Sequence, residues 1–350
     1  MNDDIIVSII CNCYNQSEYI SSCLEGFLNQ KVSFKYEILI HDDASDDGTI
    51  EIIEKYQKRY PDVIKIFTEE HNRFKEPHVN YTYEFGLLNA KGKYIAFCEG
   101  DDCWIAPNKL QTEIDYLENN SSCGLVYTNA IAYNVSRQQF SQKGVAYKCE
   151  NFDELLLGNG IPTATVCYRK ELGLNYYEEI KPWLRGWKMG DYPLWLWISD
   201  RCEIKYIPIV TAVYRILDES ASHTRDVQKR LVFAQSTYDI RYYFLKRYSA
   251  SKNKIDEYYL KYMKTRYELE QIYSLKTAKE MRKFICKSRV ASFRLFAVLI
   301  ASLSKPSFWL LIKYLEYING TKYVDEPNTG SPDKDEYVLC LISKNRDISE

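Results

Sequence analysis

A chain of 350 residues, 46% hydrophobic and 27% charged, can bury one large core or two modest ones and has the balance of an ordinary globular protein. Its net charge of −2 excludes a global field that would draw it onto nucleic acid or acidic lipid, so an anionic ligand must be held by local features. The eleven cysteines are odd in number and scattered, and Met1-Asn2-Asp3-Asp4 lacks the basic start and apolar stretch of a secretory segment, so reduced thiols in a cytoplasmic protein are expected.

Ile5 to Cys11 is apolar and β-branched and reads as a buried strand, followed by a polar turn over Asn12 to Ser17. Cys11 and Cys13 share a face of that strand, but no second Cys or His pair stands at zinc-ligand spacing. Ser17 is placed to cap a helix whose apolar positions Ile20, Leu24, Phe27 and Leu28 recur at helical spacing. A second strand, Tyr36 to Ile40, ends in His41-Asp42-Asp43. A turn over Ala44 to Gly48 and a helix through Ile52, Ile53 and Tyr56 follow, and Pro61 stops that helix. Val63 to Phe67 reads as a third strand, Asn80 to Ala90 as a helix ended by Gly92, and Tyr94 to Cys98 as a fourth strand running into Glu99-Gly100-Asp101-Asp102.

Beyond Pro107 a helix is expected to about Leu117, and Leu125 to Tyr127 as a strand. Residues 128 to 225 are mixed, with Pro162, Pro182, Pro193 and Pro208 punctuating short elements. From about Asp226 to Lys287 the pattern is helical and rich in Tyr, Lys and Arg. Across 290–318 two apolar pieces, separated by Pro306, are each too short to span a bilayer. They read as core-facing or interfacial helix, with peripheral membrane contact as the second reading. The division expected is a domain over 1–225, a helical region over 226–324 and a polar, partly disordered tail over 325–350.

Strands and helices alternating at short intervals argue for an α/β fold with a mostly parallel sheet covered on both faces. Ligands bind such sheets beyond the carboxyl ends of the strands. Three of those ends carry polar clusters here: Asn12, Asp42 with Asp43, and Asp101 with Asp102. Two adjacent carboxylates repel one another unless a cation compensates, and a hard divalent ion does so while gathering phosphate oxygens. A solvated acidic pair at a turn would look the same. Asp43 can accept from a nucleobase or ribose, or cap a helix in competition with Ser45, Asp46 and Asp47. Asn12 can reach a base or be an ordinary loop residue.

With these positions assembled, the chain resembles glycosyltransferase family 2, the nucleotide-sugar enzymes of the GT-A fold. The matching stretches are VSIICNCYNQSEYISSCLEGFLNQ (Val7 to Gln30), YEILIHDDASDDGT (Tyr36 to Thr49) and AKGKYIAFCEGDDCWIAPNKLQTEIDYL (Ala90 to Leu117), within a resemblance covering roughly residues 5 to 225. It implies that Asn12 and Asp43 contact the nucleotide base, that Asp101 lies near the ribose and sugar, and that Asp102 binds a divalent Mn2+ or Mg2+. Glu99 stands where the family's more familiar acidic triplet has Asp. Met189-Gly190-Asp191-Tyr192-Pro193-Leu194-Trp195 matches the site of the general base, so Asp191 takes that role, or caps the helix after it. Gly190 replaces the Glu that usually precedes it.

Thr163 and Arg169 either touch substrate or complete the sheet. His223, in a stretch resembling the family's closing segment, is a candidate metal or phosphate contact, with a surface histidine as the alternative. Trp104, Trp183, Trp187 and Trp195 are read mainly as core residues with sugar stacking as the alternative, and the 31 tyrosines mostly as packing residues. The expected activity is inverting, metal-dependent transfer from a nucleotide-diphosphate sugar, UDP being the family's usual nucleotide. The acceptor is a saccharide or lipid-linked saccharide, in polysaccharide or surface-glycan synthesis, at the cytoplasmic side. The alternatives are a nucleotidyltransferase acting on sugar phosphates, against which the lack of Gly and Lys in residues 11–17 argues, and a non-catalytic GT-A-like binding protein.

Overall fold

Continuous β-branched and apolar runs make the N-terminal strands suited to burial on both faces, and that is where they lie. In the computed structural model, which describes residues 4–73, 76, 80–217 and 227–248, β1 (Ile5–Cys13) pairs in parallel with β2 (Lys35–Asp42) and β4 (Tyr94–Phe97), and β2 pairs with β3 (Ile64–Thr68). The crossovers carry α1 (Ile20–Leu28) and α2 (Thr49–Arg59), whose buried Leu24, Phe27, Ile53 and Tyr56 join Ile9, Ile38 and Ile40 in one core. Each fully buried Leu, Ile or Phe side chain removes enough apolar surface from water to contribute about 1.5–3 kcal/mol.

The sheet continues in mixed orientation. Its order is β3-β2-β1-β4-β8-β6-β9-β5, with β7 on β6, where β5 is Cys103–Trp104, β6 Cys123–Asn134, β7 Gln139–Gly144, β8 Val166–Arg169 and β9 Glu203–Ile216. β8 runs antiparallel to β4 and β6, while β6 and β9 are parallel. Helices α3 (Lys109–Asn119), α4 (Phe152–Leu157), α5 (Lys170–Ile180) and α6 (Tyr192–Ser199) complete this part of the chain.

Several local expectations change. Ser17 does not cap α1: the cap position is Tyr19, and Ser17 N instead donates to Asp47 Oδ2 at 2.9 Å, joining the loop after β1 to the loop after β2. The segment 80–90 is not an α-helix but contains a π-helical turn, Thr82–Leu87, in which Leu88 N donates to Tyr83 O five residues back. Pro208 does not end an element. It sits inside β9 where the pairing with β6 slips between Tyr127–Tyr206 and Asn129–Val210, an irregularity that accommodates its missing N–H.

The chain divides into two compact units, with residues 4–186 and 190–217 in the first and 187–189 with 227–248 in the second. In the second, α7 (Val227–Tyr248) holds the short segment through Lys188 N donating to Ser236 Oγ at 2.7 Å, and Trp187 packs edge-on to Tyr243. Among the described residues no helix is long and apolar enough to cross a membrane. His223, the segment 290–318 and the tail over 325–350 lie outside the described residues.

Candidate active site

The carboxyl ends of β2, β1 and β4 stand side by side, and β1 is the strand from which the chain winds off in both directions. This switch point is where open α/β sheets bind ligands. Backbone bonds fix the spacing: Asp43 N donates to Cys13 O at 3.1 Å and Gly100 N to Asn12 O at 3.1 Å, so Asn12 lies between the two acidic clusters. Gly100 is required by close approach, since a Cβ there would stand 2.3 Å from Gln16 Oε1 and 2.9 Å from Cys13 Cβ.

Asp43 is buried. Its Oδ1 accepts from Arg73 N at 2.8 Å and its Oδ2 from Tyr81 OH at 3.1 Å, and the N-cap of α2 is Gly48, so Asp43 does not cap that helix. Asn12 Nδ2 donates to Thr82 Oγ1 at 3.2 Å while its Oδ1 is buried without a partner. An orphaned acceptor of this kind costs folding free energy, which a ligand's donor would recover. Tyr81 and Thr82 thus reach the site from the start of the π-helical turn.

The acidic run is electrostatically unsettled. Burial raises the Asp102 carboxyl well above the usual range, the charge of Asp101 adds to this, and Arg215 opposes it. Burial likewise raises Asp101, with Arg215 again opposing. Crowding by protein pushes Glu99 up to about 8, and Asp101 and Asp191 add like charge. Glu99 keeps solvent access, so water offsets part of the crowding and the two charges weigh more than burial alone suggests. A cation against Asp102 would relieve all three carboxylates, and hard carboxylate oxygens suit Mn2+ or Mg2+. No group of three or more His, Cys, Asp or Glu among the described residues could hold a metal alone.

Asp191 comes from a distant element into the field of Glu99. It occupies the N-cap position of α6, yet its side chain makes no capping bond; its Oδ2 accepts from Thr163 Oγ1 at 2.8 Å. The carboxylate is therefore held from the loop before β8, not used to terminate its own helix. Buried Tyr177 lies in the field of Asp191 as well, with the side chains of Asn80 and Thr82 beside it.

The family model for glycosyl transferase family 2 matches residues 8–170. The UDP-Glc:alpha-D-GlcNAc-diphosphoundecaprenol beta-1,3-glucosyltransferase WfgD of Escherichia coli is 32% identical over 227 residues, covering 64% of this chain and 82% of that protein. The chain belongs to glycosyltransferase family 2. The uncharacterized protein Rv1520 of Mycobacterium tuberculosis is 33% identical over 167 residues, 47% of each chain, so this family 2 chain aligns with about half the length of such relatives. The crystal structure of S. aureus TarS 1–349 in complex with UDP-GlcNAc has a TM-score of 0.61 at 14% identity, covering 92% of this chain and 94% of that one, and shows the GT-A fold.

Of the positions singled out in this family 2 sequence, Asn12, Asp43, Glu99, Asp101, Asp102 and Asp191 meet at one end of the sheet. Arg169 does not join them. Its guanidinium donates to Cys123 O at 2.9 Å and Leu117 O at 2.7 Å, tying strands and α3 together. Trp104 and Trp195 are core residues, whereas Trp183 is half-buried and stacks on Tyr83 at 5.6 Å. Sequence reasoning missed Tyr81, Thr82 and Tyr177, and it did not pair Arg215 with the acidic run. Polar side chains in a mainly apolar helical pattern were the only local signal for the first two.

Proposed function

We propose that the protein transfers a sugar from a nucleotide-diphosphate sugar, a UDP-sugar by preference, to a saccharide or lipid-linked saccharide, with inversion and with a divalent metal. The observation that carries this reading is the convergence of Asp191 on the Glu99–Asp102 run, which unites a base held by Thr163 with a carboxylate cluster in need of a cation. WfgD, whose name gives a UDP-sugar donor and a lipid-linked acceptor, and TarS bound to UDP-GlcNAc support the choice of substrates.

In this reading Asn12 and Asp43 hold the base, and Asp101 contacts the ribose and sugar. Asp102 would hold Mn2+ or Mg2+, which when bound neutralises the diphosphate as it leaves. Asp191 takes the acceptor hydroxyl proton as that oxygen attacks the anomeric carbon. The new C–O bond forms on the face opposite the breaking bond to the diphosphate, and the leaving group carries away the electron pair. Polysaccharide or surface-glycan synthesis at the cytoplasmic side, with 1–225 catalytic and 226–324 a helical extension, fits the same reading.

The test is a screen of nucleotide sugars for thermal stabilisation and for transfer, with and without Mn2+. At 100 times Kd, a donor that binds only the folded state stabilises it by about 2.7 kcal/mol. Stabilisation by a UDP-sugar that grows with Mn2+ is the expected result. Indifference to every donor under both conditions would overturn the proposal.

A further inference from the structure

We propose that Arg215 is the positioning residue of the acidic turn, fixing the orientation of Asp101 and Asp102 while leaving their charge available to a cation. This rests on the metal reading given above. Arg215 lies near the end of β9, and only 2% of it is exposed. Its backbone N donates to Asp102 Oδ1 at 2.8 Å. Its guanidinium Nη1 donates to Asp101 O at 2.6 Å, and Nη2 donates to Ser22 Oγ on α1 at 2.7 Å. The guanidinium carbon also stands 5.2 Å from the centre of the Tyr19 ring.

The choice of acceptors is what matters. A buried guanidinium next to two carboxylates would ordinarily form a fork with one of them. Here the two donors go to a carbonyl and a hydroxyl, so the positive charge sits beneath the turn without those bonds occupying carboxylate oxygens. The bond to Asp101 O fixes the peptide plane between Asp101 and Asp102, and that plane sets the directions of both side chains. The bond from Arg215 N to Asp102 Oδ1 then fixes one carboxylate oxygen. A lysine would keep the charge, but its point-like ammonium lacks the planar fork that spans Asp101 O and Ser22. Outer groups that orient metal ligands in this way typically change metal affinity about 10–100-fold when altered.

The experiment compares the full chain with Arg215→Lys and Ser22→Ala, reading Mn2+ binding by electron paramagnetic resonance in the presence of UDP. The dependence of kcat and of the half-saturating Mn2+ concentration is measured alongside. Arg215→Lys should bind UDP without metal as the wild type does, raise half-saturating Mn2+ about tenfold, and keep kcat at saturating metal within about threefold. Ser22→Ala, which removes one anchor and leaves the acidic turn intact, should shift Mn2+ in the same direction by a smaller factor, and it carries the test if Arg215→Lys does not fold. Unchanged Mn2+ binding in the folded variants, beside a wild type that responds to Mn2+, overturns the proposal alone. A wild type whose UDP binding ignores Mn2+ overturns the metal reading and this inference with it.

Discussion

At the residue scale, what distinguishes Asp191 is a bond it does not make. An Asp at an N-cap ordinarily accepts from the second or third helical N–H, a contact that stabilises the helix by about 1 kcal/mol. Asp191 forgoes it and accepts from Thr163 Oγ1 instead. Replacement by Asn should therefore lower transfer by about 10²–10⁴-fold while leaving UDP-sugar binding intact, as read by calorimetry beside turnover. Thr163→Val removes the donor that orients this carboxylate, so kcat should fall while UDP-sugar affinity stays as in the wild type. An unchanged kcat would remove Thr163 from this role. Asn12, Asp43, Asp101, Asp102 and Asp191 were legible in the sequence because they are polar groups at element ends within recognisable stretches. Their partners were not, because contact at long sequence distance leaves no local pattern: Thr82 is 70 residues from Asn12, Tyr81 38 from Asp43, and Arg215 113 from Asp102.

At the element scale, the four N-terminal strands were readable because burial on both faces demands apolar runs, and their edges moved by only a residue or two. The π-helical turn was not, since the spacing of its apolar residues also satisfies an ordinary helix. β9 was hidden because Pro208 argues locally against a strand, and only the irregular pairing with β6 makes room for it. Helix α3 contains a further feature that periodicity cannot reveal. Lys109 and Glu113, one turn apart and both fully buried, pair at 2.8 Å, with the ammonium 4.3 Å from the centre of the Trp104 ring. Burial pushes Glu113 up to about 7 despite the opposing charge of Lys109. Such a pair is costly to break and not costly to replace. Lys109→Met alone should destabilise the protein by about 3–5 kcal/mol, whereas Lys109→Met with Glu113→Leu should return it to within about 1 kcal/mol of wild type or above. Urea unfolding of the single and double variants measures the difference, and equal losses in both would contradict this account of α3.

At the scale of the whole molecule, stability and the proposed nucleotide site meet at His41. The ring is buried against Tyr81 at 4.3 Å and Phe85 at 4.5 Å, and neither nitrogen has a hydrogen-bond partner. Burial lowers its pKa below 6.5 although Asp43, Glu69 and Asp42 all favour the charged form, with Glu69 Oε1 3.6 Å from Nε2. The sign follows from linkage. Below about pH 6.5 the unfolded chain takes up a proton that the folded chain resists, so the contribution is present above that value and is lost as pH falls, by at most about 1.4 kcal/mol per pH unit. Glu113 and Glu99, both raised, act in the opposite sense over the same window, strengthening the fold as pH falls. The reading therefore comes from a difference between two proteins, not from one curve. His41→Phe keeps an aromatic ring against Tyr81 and Phe85 and removes the titration, so wild type should lose more stability than this variant between pH 7 and pH 5. Tyr81 also donates to Asp43, so UDP affinity in the wild type should weaken over the same interval and in His41→Phe should weaken less. Parallel stability curves for the two proteins would show that the buried imidazole does not couple pH to the fold.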